Sequence, residues 1–334
     1  MGNPHIVALP YPAQGHVIPL MELSQCLAKQ GFKIKFGNTE YNHKRVLKAL
    51  GKKICLGSKI CVVSIPDGAV FQVMPGKLQE LINRINMSGE ERITGIITDW
   101  TMGWSLEVAE KMNIHRAIFW PASAAILCSM LSVSKLVNDG IIDIDGTALQ
   151  NQKIQLAPEM PVVDTANFAW PGAFSFTPNI LPVGPLLASN RLGDQVGYFW
   201  AEDSTCLKWL EKQPPNSVVY IAFGSFTVFD QAQFQELALR LINEAYSEGF
   251  QERVAARGKI VGWAPQQKVL SHPSVSCFLS HRGWNSTMEG VSNGMPFLCW
   301  PYFADQFLNG TLQNVEEGGC SSRNFKNFVE WMMA

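Results

Sequence analysis

Along this 334-residue chain, short apolar runs alternate with stretches of helical period, and that alternation restricts the fold more than any other feature. His5–Leu9 is an apolar run of strand length. The stretch 17–30 then carries apolar residues at 17, 20, 21, 23 and 27, an approximate helical stripe, with Gly31 where a C-terminal cap belongs. Strands are expected over 33–36 and 61–65, a helix over 77–86, and a buried strand over 95–98 that ends at Asp99. A helix over 106–112 and a strand over 117–120 follow. Such alternation implies right-handed βαβ units and a parallel sheet. The series restarts later, with strands at 217–223, 259–262, 275–279 and 297–300 and helices at 231–241 and 285–293. Between the two series, Pro158, Pro161, Pro171, Pro178, Pro182 and Pro185 crowd a stretch that reads as a linker, which puts a boundary near 185–200.

Composition narrows the function. Apolar residues make up 47% and charged residues 16%, enough apolar material for full cores, so wholesale disorder is excluded. Lys and Arg total 27 against 28 Asp and Glu, so the basic footprint of a nucleic-acid binder is absent. No apolar run reaches the length of a spanning helix. The first residues lack the cationic and apolar blocks of a secretory signal, and Ile6 stands where a myristoylation signal wants Ser or Thr. The eight cysteines are scattered without paired zinc spacing and mostly sit in apolar runs. Together these features lead to the expectation of a reduced, cytoplasmic protein, and a monomer is expected as well.

In open α/β sheets, ligands bind beyond the carboxyl ends of the strands. Polar turns stand at four such ends: Gln14-Gly15-His16, Asp99, Gly224-Ser225, and Ser280 to Gly283. Their split between two halves predicts a cleft. The densest stretch, Trp263 to Gln306, has the chemistry of a nucleotide site. Trp263 offers a flat surface for a base, and Gln266 can bond a base edge. His281, Gly283, Asn285 and Ser286 form a small-residue turn opening a helix, whose N-terminus favours phosphate. Asp305 and Gln306 suit sugar hydroxyls. Structural alternatives stand beside these readings. Ser286 and Glu289 fit the spacing of a capping box, and Trp284 and Trp300 have the character of core aromatics. Asp143-Ile144-Asp145 is a DxD triplet of the kind some transferases use for metal, but it reads here as a polar loop after a helix.

Residues Trp263–Gln306 resemble, without a gap, the C-terminal signature box of plant family 1 UDP-glycosyltransferases. Pro12-Ala13-Gln14-Gly15-His16 and Asp99 resemble the family's N-terminal half. The resemblance implies a GT-B fold, two Rossmann-like α/β domains facing a cleft. Residues 1–190 would bind the acceptor, 191–310 the UDP-sugar, and 311–334 form an atypical tail. It implies Trp263 and Ala264 beside uracil, Gln266 on the nucleotide, and Glu289 on the ribose. His281, Gly283, Asn285 and Ser286, with Ser225, would hold the diphosphate, and Trp284, Asp305 and Gln306 would hold the sugar. Gln306 goes with a glucose donor in this family. No cofactor or metal is implied, and UDP-glucose is a substrate. His16 would take the proton of an acceptor hydroxyl, with Asp99 orienting its ring, for an inverting transfer.

The chain departs from the family pattern near 65–69, 168–172 and 241–246 and after Asn309, where family segments are missing. Arg282 replaces the usual Cys. These gaps motivate an alternative, a shortened non-catalytic relative.

Overall fold

The computed structural model describes residues 4–49, 55–66, 73–158, 160, 162–165, 183, 186, 199–227 and 258–311. The chain divides into two compact units, Met1–Ala122 with Asn179–Ala201, and Ser123–Pro178 with Glu202–Ala334. The expected boundary near 190 falls inside the Asn179–Ala201 stretch.

The first unit is built on six strands: β1 (His5–Leu9), β2 (Lys33–Thr39), β3 (Cys55–Leu56), β4 (Ile60–Ile65), β5 (Gly95–Asp99) and β6 (His115–Phe119). Their order is β3-β4-β2-β1-β5-β6, parallel except for β3. All five residues of β1 are buried, which explains why it reads as an unbroken apolar run. Its side chains alternate between two cores. Ile6 and Ala8 join Val17, Leu20 and Met21 of helix α1 (Gln14–Lys29). Val7 and Leu9 join Leu78 and Ile82 of α3 (Met74–Met87) and Val108 of α4 (Trp104–Lys111). Gly31 has a φ of 105°, as its place just past α1 requires. Helix α2 (Glu40–Ala49), which the sequence pattern did not announce, follows β2 directly and buries only Asn42 and Val46.

Strand order reverses between β1 and β5. The chain builds outward from β1 to β2 and β4 on one side, then returns to place β5 and β6 on the other. That is a topological switch point, the position where open α/β sheets open a crevice.

Cys55 and Cys61 stand opposite each other across the antiparallel β3–β4 pair and form a disulfide. This corrects the expectation of uniformly unpaired thiols. Pairing of these two depends on register, which spacing alone did not reveal.

In the second unit, α5 (Ala124–Asn138) and a small pair of β7 (Lys153–Ile154) with β8 (Val163–Asp164) precede α6 (Thr205–Leu210). A parallel sheet follows, ordered β11-β10-β9, with β9 at Val218–Ala222, β10 at Val275–Ser280 and β11 at Phe297–Cys299. Cys206, Leu210, Val269, Leu270, Val275, Phe278 and Met295 form its core. The strand expected over 259–262 has no ladder partner among the described residues and carries no regular secondary structure, with a bend at Gly262. Apolar content alone made it look like a strand, whereas strand status needs a hydrogen-bonded neighbour. The helix expected at 231–241 and the departures near 168–172 and 241–246 lie outside the described residues. Among the described residues no helix is long and apolar enough to cross a membrane.

Candidate active site

His16 and Asp99 come from the two sides of the switch point. Leu9 of β1 pairs with Thr98 of β5, which sets Asp99, the last residue of β5, beside the chain as it leaves β1. The helix starts at Gln14, earlier than its apolar stripe suggested, which puts His16 in the first turn of α1 rather than in a turn before it. Gln14 is buried, and its Oε1 accepts the backbone N–H of Phe199 at 2.7 Å, tying the returning segment to the start of α1.

The imidazole Nδ1 of His16 donates to Asp99 Oδ2 at 2.7 Å. The Asp99 side chain is fully buried, while that of His16 keeps 27% of its surface exposed. The other carboxylate oxygen, Oδ1, accepts from the Thr101 backbone N–H at 3.0 Å and the Thr101 hydroxyl at 2.7 Å. One oxygen is thus held by the short 3-10 helix Trp100–Met102 and the other by histidine. Tyr11 lies 5.2 Å from the His16 ring, centroid to centroid, and Trp100 lies 5.0 Å from Trp120.

The second unit gathers its polar residues at the carboxyl edge of β9, β10 and β11. Ser225 is exposed in the turn after β9. Gly224 in that turn has a φ of 75°, and a Cβ there would lie 2.6 Å from His281 Nε2. A Cβ on Gly283 would lie 2.5 Å from the same atom. The imidazole therefore sits between two glycines, a fit that no other residue type allows. Burial pushes His281 down to about 4, the Ala222 backbone opposes this, and the Arg282 guanidinium adds to it. At neutral pH the ring is uncharged, so it brings no positive charge to the turn.

Gly283 is the N-cap of the helix Trp284–Ser292 and supplies no capping side chain, so the first amide N–H groups are not covered by their own cap. This decides against a Ser286–Glu289 capping box. Ser286 lies inside the first turn, and the Glu289 side chain reaches across to the short helix Gln266–Leu270. Gln266 Nε2 donates to Glu289 Oε2 at 2.7 Å and to Ser286 Oγ at 3.1 Å, and Gln267 Nε2 donates to Glu289 Oε1 at 3.4 Å. The Tyr220 hydroxyl donates to Gln266 Oε1 at 3.2 Å, and burial together with the Glu289 charge pushes that phenol up, keeping it protonated. Gln266, Ser286 and Glu289, picked from sequence for three different ligand groups, thus form one network. Tyr220 and Gln267 were missed because one hides in an apolar strand and the other repeats its neighbour.

Trp263 is half-buried, and its carbonyl accepts the Asp203 N–H at 2.7 Å; Ala264 packs on the core. Trp284 and Asn285 are half-buried at the helix start, whereas Trp300 is 38% exposed and is no core aromatic. Gln306 is buried, and its Oε1 accepts the N–H groups of Tyr302 at 2.7 Å and Phe303 at 3.0 Å. A sugar contact from it would come from its Nε2. Asp305 is half-buried and accepts from Asn309 Nδ2 at 2.8 Å. Arg282 is fully buried, with its guanidinium 4.1 Å from the Phe297 ring centroid. Asp143 of the DxD triplet closes a turn, its Oδ1 accepting from the N–H groups of Asp145 at 3.0 Å and Thr147 at 2.7 Å.

Comparison with known proteins decides the family. UDP-glycosyltransferase 83A1 of Arabidopsis thaliana is 40% identical over 378 aligned positions, covering 92% of this chain and 82% of the relative. The chain belongs to the plant family 1 UDP-glycosyltransferases. The family described as UDP-glucoronosyl and UDP-glucosyl transferase matches residues 217–330. The (R)-mandelonitrile beta-glucosyltransferase of Prunus dulcis is 28% identical, covering 99% of this chain and 92% of that one. A solved structure of Phytolacca americana UGT2, complexed with UDP-2fluoro-glucose and pterostilbene, superposes with a TM-score of 0.75 at 24% identity. It covers 94% of this chain and 84% of the other. The fold is accordingly that of the GT-B glycosyltransferases, and this UDP-glycosyltransferase takes its sugar from a UDP-sugar donor. The Arabidopsis alignment is longer than the chain itself, so the relative carries internal residues that this chain lacks.

Proposed function

We propose that this UDP-glycosyltransferase transfers glucose, with inversion, to a hydroxyl of a small specialised metabolite such as a phenolic. The observation that carries the reading is the 2.7 Å contact between His16 Nδ1 and the buried Asp99 carboxylate. A carboxylate only accepts, so Nδ1 carries the proton and Nε2 has the lone pair of a general base. Nε2 takes the proton of the acceptor hydroxyl, and the oxygen attacks the anomeric carbon of the donor. The glycosidic C–O bond to UDP breaks as the new C–O bond forms, and Asp99 stabilises the imidazolium. Attack opposite the departing UDP turns an α-linked donor into a β-linked product, in keeping with the beta-glucosyltransferase among the relatives.

The second unit supplies the donor site in this reading. The helix N-terminus at Gly283, with Asn285, Ser286 and Ser225, receives the diphosphate, and neutral His281, packed between Gly224 and Gly283, shapes the same turn. Trp263 and Ala264 flank the base, Gln266 and Glu289 hold the nucleoside, and Trp284, Asp305 and Gln306 meet the sugar. Glucose is supported by Gln306 and by the relatives' names. The protein works as a cytoplasmic monomer without metal or cofactor.

The test pairs two variants. Replacing His16 with Ala should abolish transfer and leave UDP affinity within about threefold, because removing a base does not touch donor contacts. Replacing Glu289 with Ala should weaken UDP binding by about tenfold or more, the loss of a charge-assisted hydrogen bond. Turnover unchanged in the first variant removes the base assignment; calorimetric UDP affinity unchanged in the second reduces Glu289 to an internal brace.

A further inference from the structure

We infer that Arg282 is a positioning residue: acting through Asn309, it fixes the Asp305 carboxylate and thereby sets how strongly the site discriminates between donor sugars. The inference rests on the reading of Asp305 as a sugar contact.

Arg282 follows His281 directly and adopts a φ of 68°, a left-handed conformation that side-chain-bearing residues avoid. Its side chain is fully buried and turns from the diphosphate turn toward the helix Gln306–Thr311. The guanidinium Nη2 donates to the Asn309 carbonyl at 3.0 Å, and the Arg282 carbonyl accepts from Asn309 Nδ2 at 3.0 Å. The two residues therefore grip each other reciprocally, side chain to backbone in both directions. The Thr287 hydroxyl also donates to the Arg282 carbonyl, at 3.3 Å, which brings in the helix Trp284–Ser292.

Asn309 passes this grip to the sugar side. Its Nδ2 donates both to the Arg282 carbonyl and to Asp305 Oδ2 at 2.8 Å, so both amide hydrogens are engaged. A flipped amide would set Oδ1 against a carbonyl and a carboxylate, so the orientation is fixed by repulsion as well as attraction. Asp305 thus inherits its side-chain direction from Arg282. Stacking on Phe297 of β11 holds the guanidinium plane, which is what a forked, planar group does better than an ammonium. The residue that binds no ligand joins the diphosphate turn and the sugar-facing carboxylate into one rigid piece. Telling hydroxyl epimers apart needs donors and acceptors held to within about 0.5 Å, a demand that diphosphate binding does not make as strictly.

The full-length chain can be tested with Arg282→Lys and Asn309→Ser, each measured for UDP affinity by calorimetry and for kcat/KM with UDP-glucose and UDP-galactose against one phenolic acceptor. The expected result is a loss of about tenfold in kcat/KM for UDP-glucose, a narrowed glucose-to-galactose ratio, and UDP affinity within about threefold of the parent. The double variant should be no worse than the poorer single one, since both break one path. An unchanged sugar ratio in both variants, or a UDP affinity that falls as far as kcat/KM, overturns the inference. If Arg282→Lys does not melt cooperatively, Asn309→Ser alone decides. Asp305→Asn separates the two readings. Should it leave the sugar ratio unchanged, the sugar-contact reading fails. Should it narrow the ratio while Asn309→Ser does not, only the role given to Arg282 fails.

Discussion

Replacing Asp99 with Asn probes the histidine tautomer without changing shape. In the native protein Oδ1 accepts two bonds from Thr101 and Oδ2 accepts one from His16 Nδ1. An asparagine can keep its oxygen only on one side. The Thr101 backbone N–H cannot become an acceptor, so the oxygen stays there and the NH2 group faces His16. Nδ1 must then accept, which moves the ring proton to Nε2 and removes the lone pair that takes the acceptor proton. Full loss of a positioned base is worth about 10²–10⁴ in rate, or about 3–5 kcal/mol of barrier. Because the substitution keeps volume and both Thr101 contacts, the melting midpoint should move by only a few degrees. Calorimetric UDP affinity should stay within about threefold, since Asp99 is bonded to His16 and Thr101 and acts through the histidine. The assay is initial-rate UDP release from UDP-glucose with a phenolic acceptor. A kcat within about threefold of the parent, in a protein with an unchanged melt, would refute the tautomer argument.

Other outcomes follow from the second unit. A Cβ at Gly290 would lie 2.2 Å from Phe297 Cζ, so Gly290→Ala should destabilise by about 1–3 kcal/mol, read as a lower melting midpoint; an unchanged melt would contradict the close helix–strand packing. His281 is held down to about 4 against an ordinary value of 6.5, so between those pH values the unfolded chain binds a proton that the folded chain does not. Stability should therefore fall as pH drops, by about 2 kcal/mol from pH 7.5 to pH 5, and His281→Asn should lose less over the same range; equal losses would contradict a neutral buried ring. UDP at about 100 times its dissociation constant should stabilise the fold by about 2.7 kcal/mol, and a melt insensitive to UDP would favour the non-catalytic alternative.

Most of the parallel framework was legible because buried central strands leave unbroken apolar runs, and β1 is the clearest case. Helix α2 was not, since only Asn42 and Val46 face inward and the rest is polar. The strand expected at 259–262 shows the opposite error, where apolar content stood in for a ladder that the described residues do not supply. At the site, residue types were readable and their partners were not. Ser286 and Glu289 have the spacing of a capping box, but Gly283 fixes the helix start and turns Glu289 toward Gln266 and Gln267. Asn309 carries no chemistry by itself, and only its bonds to Arg282 and Asp305 give it a role.

The missing internal residues bear on stability more than on the geometry of each half of the site. The departures expected from sequence near 65–69, 168–172 and 241–246 fall outside every stretch that supplies a candidate site residue. His16 and Asp99 are placed by the β1–β5 register, in which Ile6, Val7, Ala8 and Leu9 pair with Gly95, Ile96, Ile97 and Thr98 in sequence. His281 is placed by the β9–β10 register and by the two glycines around its ring. Glu289 is held by Gln266, which also accepts from Tyr220, and by Gln267. A parallel ladder transmits position through hydrogen bonds at each residue, so a loop lost elsewhere leaves these frames in register while lowering the margin that holds them. The comparisons give the non-catalytic alternative no support of its own: the Arabidopsis relative aligns over 92% of this chain.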